Sequence, residues 1–165
     1  MKKIITAVIT STIIGCASSG SNPDMVTLQN QKIKDGSKKH SLMFERLNGK
    51  KLSIGPFTTP NKATHYVQAG KKELAIKVTH TSDTTEVVWA SKFKAEVNLV
   101  KGEMYTIKAS EQNWCIKMEI VNSSGITVSK VKYSPLSPFL SLNHMKNKRL
   151  MDRVKKKAIG AKCKT

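Results

Sequence analysis

The chain has little that would mark it as an enzyme. Its apolar runs are short, its aromatics are 5% of 165 residues, and it carries 11 acids against 29 basic residues. The longest apolar stretch, Ile4 to Ile14, is too short to cross a hydrocarbon core as a helix, which takes about 20 residues. With so few aromatics, the core must lean on Val, Ile, Leu and Met, enough for one small sandwich. The carboxylates are few, and no pair is marked as an acid/base couple. His40, His65, His80 and His144 stand in no His-Glu-x-x-His or similar spacing. Cys-x-x-Cys, the Gly-x-Ser-x-Gly elbow and the phosphate loop are all missing. The expectation is therefore a non-catalytic protein with no cofactor and no metal.

Positive charge is what the chain has in excess, at a formal +18. From Ser137 to Thr165 there are nine basic residues against Asp152 alone, a net +8. The much longer stretch from Ala17 to Leu136 also carries +8, from eighteen basic residues and ten acids. Such a balance attracts polyanions. Nucleic-acid grooves interleave basic residues with exposed aromatics. No aromatic lies between Asn143 and Thr165, so no nucleic-acid partner is expected.

The N-terminus opens with Lys2 and Lys3, continues with the apolar run, and closes on Ile13-Ile14-Gly15-Cys16. A charged start, a short apolar run and a small-residue exit mark a cleaved secretory signal helix. With Cys where the mature chain would begin, the segment resembles the lipobox of bacterial lipoproteins. That resemblance implies diacylglyceryl transfer to Cys16, cleavage after Gly15 and acylation of the new amino group. Ala17 rather than Asp follows, which in that family favours the outer membrane, facing the periplasm, over the inner one. Several acyl chains on one cysteine hold a protein permanently, where a single chain is marginal.

Removing residues 1–15 leaves 150 residues, one domain with tails. If Cys16 carries lipid, Cys115 and Cys163 remain. An even pair in an oxidising compartment invites a disulfide; two free thiols are the alternative.

Residues 16–36 read as the lipidated cysteine and a flexible tether, beginning with the small, polar stretch Ala17 to Asp24. Residues 37–136 read as an antiparallel β-sandwich. Asn48-Gly49 between apolar runs is a strong hairpin signal. Leu74, Ile76 and Val78 alternate with polar neighbours. Phe93, Ala95, Val97 and Leu99 do the same, as do Tyr105 and Ile107, and then Trp114, Ile116, Met118 and Ile120. Thr81 to Thr85 reads as a polar turn. Asn122 to Gly125 reads as a hairpin turn from which Ile126 to Val128 returns. The alternation places Cys115 on the polar face, within reach of a tail. Trp89, Trp114 and Tyr105 offer either a sugar-stacking platform or core, and Trp114 in an alternating strand fits core better.

The pattern Val67-x-x-Gly70-x-x-x-Leu74-x-Ile76-x-Val78, followed by Lys101-Gly102-x-x-Tyr105-x-Ile107, is similar to small bacterial β-sandwich modules of lipoproteins. The likeness spans Arg46 to Val128 and implies a fold rather than an activity. Those modules usually carry His where this chain has Lys71.

Residues 137–165 read as a basic helical tail. Leu150, Met151, Val154 and Ala158 make a narrow apolar stripe among Lys146, Lys148, Arg149, Arg153, Lys155, Lys156 and Lys157. Three readings stay open: a helix packed on the sandwich, a segment adhering to an anionic surface, and disorder. The partners expected are the membrane, through lipid on Cys16, and anionic lipid, lipopolysaccharide or cell-wall polymer. An envelope protein partner is also expected. The overall expectation is an envelope lipoprotein with a binding or accessory role. The alternative is a small lipoprotein component of a secretion, conjugation or other envelope machine.

Overall fold

Residues 24–36, 38–56, 58–82, 85–139 and 163 are described by the computed structural model. The signal segment, Cys16 and the basic residues 146–157 lie outside the described residues, as do the signal helix and helical tail expected there. The described chain forms β1 (Val26–Gln29), β2 (Gln31–Asp35), β3 (Lys38–Leu47), β4 (Lys50–Lys51), β5 (Thr64–Val67) and β6 (Gly70–Ser82). It continues through β7 (Thr85–Leu99), β8 (Met104–Gln112), β9 (Cys115–Asn122), β10 (Lys132–Pro135) and β11 (Ser137–Phe139), with one 3-10 turn at Pro60–Lys62.

These strands build two sheets. One runs β10-β9-β8-β1-β5, and the other β11-β7-β6-β3-β2 with β4 paired to β3. Every pairing is antiparallel except β1 with β8, where Leu28 stands beside Tyr105. The fold is all-β and sandwich-like. Strand alternation sends one row of each strand inward. Leu42 and Phe44, Leu74 to Val78, Phe93 to Leu99, Tyr105 and Ile107, and Ile116 to Ile120 supply the buried rows, joined by Val26, Leu28 and Leu136.

The Asn48-Gly49 hairpin forms with both residues at positive φ, 48° and 79°. Arg46 Nη1 donates to the Gly49 carbonyl at 3.0 Å. Pairing of β6 with β7 continues to Ser82 and Thr85, inside the polar stretch Thr81 to Thr85.

Several boundaries differ from the sequence reading. The segment read as tether through residue 36 contributes two strands from Val26 onward, and Val26 and Leu28 are fully buried. Its β1 is too short to stand out as a period-two pattern, yet it fills the gap between β8 and β5. The returning strand beside β9 is Lys132–Pro135; Thr127 makes only an isolated bridge to Val121. The sandwich does not end at residue 136. Leu136 carries the chain from one sheet to the other, and β11 pairs with β7. Pro135 and Pro138 are tolerated because β10 and β11 are both edge strands.

Asn30 makes the corresponding switch at the N-terminal side, between β1 in one sheet and β2 in the other. It is buried, and its side chain is fully used. Nδ2 donates to the Pro60 carbonyl at 2.6 Å. Oδ1 accepts the Phe44 N–H at 2.8 Å, where the β3–β6 register shifts by one residue between Phe44 and Arg46.

Candidate functional site

The chain enters the sandwich beside the turn joining β7 to β8. The Gly102 N–H donates to the Met25 carbonyl at 3.1 Å, and Lys101 pairs with Asp24. The other end of the sandwich lies the length of β8 away, about 27 Å for nine extended residues. At that far end the inward rows stop being apolar. His40 follows Leu42 and Phe44 on β3, His80 follows Val78 on β6, and Glu111 follows Ile107 and Ala109 on β8. A polar cap thus closes the core.

Strand register sets the cap's geometry. His40 and His80 are directly paired across β3 and β6, and their rings meet edge to face with centroids 4.8 Å apart. Glu111 reaches them from the opposite sheet. Its Oε2 lies 2.8 Å from His80 Nδ1 and 3.5 Å from Lys38 Nζ. The His80 side chain is 8% exposed, Glu111 19% and Lys38 49%. His80 Nδ1 and Glu111 Oε2 are close in distance, but neither atom completes a hydrogen bond in direction. Burial pushes the His80 pKa below its usual value. Glu111 opposes that shift, and His40 and Lys38 add to it. One donor atom from each of His40, His80 and Glu111 falls within 4.8 Å of the others. Two imidazoles and a carboxylate are the donors that borderline divalent ions take.

The sequence reading assigned these histidines no metal spacing. Forty residues of chain separate His40 from His80, so the signal lies in cross-strand register, which local motifs do not carry.

Beside the cap lies the corner that holds the two cysteines. Asn113 and Trp114 both have positive φ, 51° and 65°, and form a two-residue turn between Gln112 and Cys115, which are paired. Trp114 therefore leaves the alternating row assigned to it. It is 37% exposed, and its ring stands edge to face against buried Trp89, centroids 5.1 Å apart. Cys115 begins β9 instead, and it is buried rather than on an open polar face. A disulfide joins it to Cys163, with the Cα atoms 5.6 Å apart. The Leu136 N–H donates to the Trp114 carbonyl at 2.8 Å. Tyr105 is not a stacking platform either: it is 1% exposed, and its hydroxyl accepts the Val100 N–H at 2.9 Å.

The consequence for the basic segment is topological. Phe139 pairs with Val88 next to Trp89, and Cys163 is bonded beside Trp114. Residues 140–162, which include all seven cations assigned to surface binding, leave and rejoin the sandwich at the same far corner. The structure therefore fixes where that segment is attached, and Lys146 to Lys157 themselves lie outside the described residues.

The other histidine of the core has a settled role. His65 Nδ1 lies 3.0 Å from the Ser53 carbonyl and Nε2 3.4 Å from Asn30 Nδ2. A neutral ring donating from Nδ1 and accepting at Nε2 satisfies both. Burial lowers the His65 pKa, and the bond to Ser53 opposes that.

An open concavity of about 660 Å³ lies at the near end, lined by Lys71, Glu73, Lys94, Glu96, Lys130 and Lys132 among others. Lys94 pairs with Glu73 at 3.3 Å and Lys71 with Glu96 at 4.0 Å. This is a solvated, ion-paired surface with no enclosed apolar volume.

Comparison with protein-family models, with curated proteins and with solved structures returns no match.

Proposed function

We propose that this chain is an envelope lipoprotein. Lipid on Cys16 anchors it to the outer membrane, and the sandwich presents the basic segment to anionic envelope components. The supporting observation is how the cysteines are used. Cys115 and Cys163 are joined to each other, which leaves Cys16, in its lipobox setting, as the third of three cysteines. Disulfides persist in exported proteins and are rare in reducing compartments. The eight residues from Ala17 to Asp24 reach at most about 28 Å when extended, so the near end of the sandwich stays close to the membrane. The far end, where residues 140–162 are pinned, faces away from it. That arrangement favours cell-wall polymer or another anionic surface across from the anchor.

The anchor is tested by labelling cells with a radioactive or alkyne fatty acid. Wild type incorporates label and fractionates with membranes; Cys16→Ser gives an unlabelled, soluble precursor. Acyl label retained in Cys16→Ser would remove the basis of the reading.

The second reading, a docking component of an envelope machine, is favoured by one feature. Strand β5 is an edge with Tyr66 51% exposed on it, and such an edge accepts a partner's strand. Site-specific crosslinking from position 66 in cells traps one defined protein if this reading holds. A diffuse smear counts against it.

A further inference from the structure

We propose that His40, His80 and Glu111 form a binding site for a divalent transition metal of the zinc class, bridging the two sheets at the far end of the sandwich. The donor set is chemically suited, since zinc takes imidazole nitrogen and carboxylate oxygen at about 2.0–2.2 Å. Tetrahedral ligands at those lengths stand about 3.3 Å apart. His80 Nδ1 and Glu111 Oε2, at 2.8 Å, are already near that spacing, and all three donors fall within 4.8 Å. Rotamer adjustments that close the widest separation by about 1.5 Å complete the set.

Two further observations point to a ligand rather than a finished protein contact. The His80 side chain is more than nine-tenths buried, and its Nδ1 faces Glu111 Oε2 at 2.8 Å without an aligned hydrogen bond between them. Buried polar atoms in native folds are nearly always satisfied, and one ion shared between these two would satisfy both. The local cation now facing Glu111 is Lys38, 3.5 Å away and half exposed. Its ammonium can swing into solvent without burial cost, so it holds the place of an ion without blocking it.

The site's position gives it a role. His40 and His80 belong to one sheet and Glu111 to the other, so the ion ties the sheets together beside the corner where residues 140–162 are attached. Three protein donors leave a coordination position for water or for an anionic group of a bound partner. This inference does not depend on lipidation of Cys16.

The experiment uses the full chain carrying Cys16→Ser, titrated with Zn²⁺ by calorimetry and with Co²⁺ by visible absorption. One equivalent of Zn²⁺ should bind and raise the thermal midpoint, and Co²⁺ should give the absorption of a nitrogen-ligated site. His40→Gln and Glu111→Gln should each weaken Zn²⁺ at least tenfold and abolish the thermal shift. Lys38→Met keeps all three donors and should bind at least as tightly as the parent. Near-UV circular dichroism of Trp89 and Trp114 reports whether each variant is folded. If His80→Asn fails to fold, the Glu111 and His40 variants carry the test. Absence of uptake by the parent overturns the proposal. So does uptake unchanged in His40→Gln and Glu111→Gln, or lost in Lys38→Met.

Discussion

The side chain of Asn30 accepts the backbone N–H of Phe44 at 2.8 Å, at the one place where the β3–β6 register slips. The bond couples the crossover between sheets to the bulge in the central hairpin. Asn30→Ala leaves the buried Phe44 N–H unpaired, while the Pro60 carbonyl lies on an exposed residue that water can reach. An orphaned buried group costs about 1–3 kcal/mol, so urea unfolding should show a loss of roughly 1–3 kcal/mol. Asn98→Ala, on the exposed face of β7, should stay within about 0.5 kcal/mol of wild type. Equal effects at the two positions would mean Asn30 does not join the sheets.

Two buried histidines make stability depend on pH. Both His65 and His80 have folded-state pKa values below the ordinary 6.5, chiefly through burial. The unfolded chain therefore binds more protons than the folded one once pH drops below about 6.5, and stability rises with pH in that window. Their contribution is complete above 6.5 and lost as pH falls toward the folded-state values. Urea midpoints measured from about pH 7.5 down to about pH 5 should decrease, and His65→Gln should flatten the curve. A midpoint that rises on acidification would contradict the burial of both rings.

Much of the sandwich was legible because its strands are long and one-sided. Phe93 to Leu99 and Leu74 to Val78 bury one row each, and period two in sequence reports that directly. What was not legible depends on partners distant in sequence. Val26 and Leu28 form a strand because β8 and β5 flank it; alone, four residues carry no pattern. Trp114 looked like the start of a row because its neighbours alternate, but the hairpin closes one residue later with Asn113 and Trp114 in the left-handed region. The sequence reads Ser110 to Asn113 as the turn, but β8 runs on through Gln112, so the turn is Asn113 and Trp114 and only its asparagine was legible. The histidine–glutamate cap was hidden for the same reason. Each member continues an ordinary inward row, and only pairing across β3 and β6 and packing against β8 bring the three together.

The disulfide gives a prediction that separates fold from attachment. It closes a loop with a sequence separation of 48, for which chain entropy predicts about 4 kcal/mol at most. Cys163→Ser should lower stability by part of that and leave the strand content of the far-UV spectrum unchanged. Limited proteolysis should then release the C-terminal residues far faster than in wild type. If Cys163→Ser neither loses stability nor changes the rate of tail cleavage, the tail is held by something other than the bond.

The basic segment gives the last test. In the chain, its seven cations lie between two described points, Phe139 paired with β7 and Cys163 bonded to Cys115. A Lys or Arg beside an anionic membrane surface contributes about 1 kcal/mol, and the attraction is confined to roughly a Debye length. The full chain carrying Cys16→Ser should sediment with vesicles rich in anionic phospholipid at low salt and be released as salt rises. Replacing Lys146, Lys148, Arg149, Arg153, Lys155, Lys156 and Lys157 by Gln keeps Cys163 and the sandwich intact, and should reduce vesicle binding at least a hundredfold. Pairwise replacement of Lys71 and Lys94, whose charges are already matched by Glu96 and Glu73, should change it little. Binding that survives the seven-residue replacement would move the anionic contact from the pinned segment to the face of the sandwich.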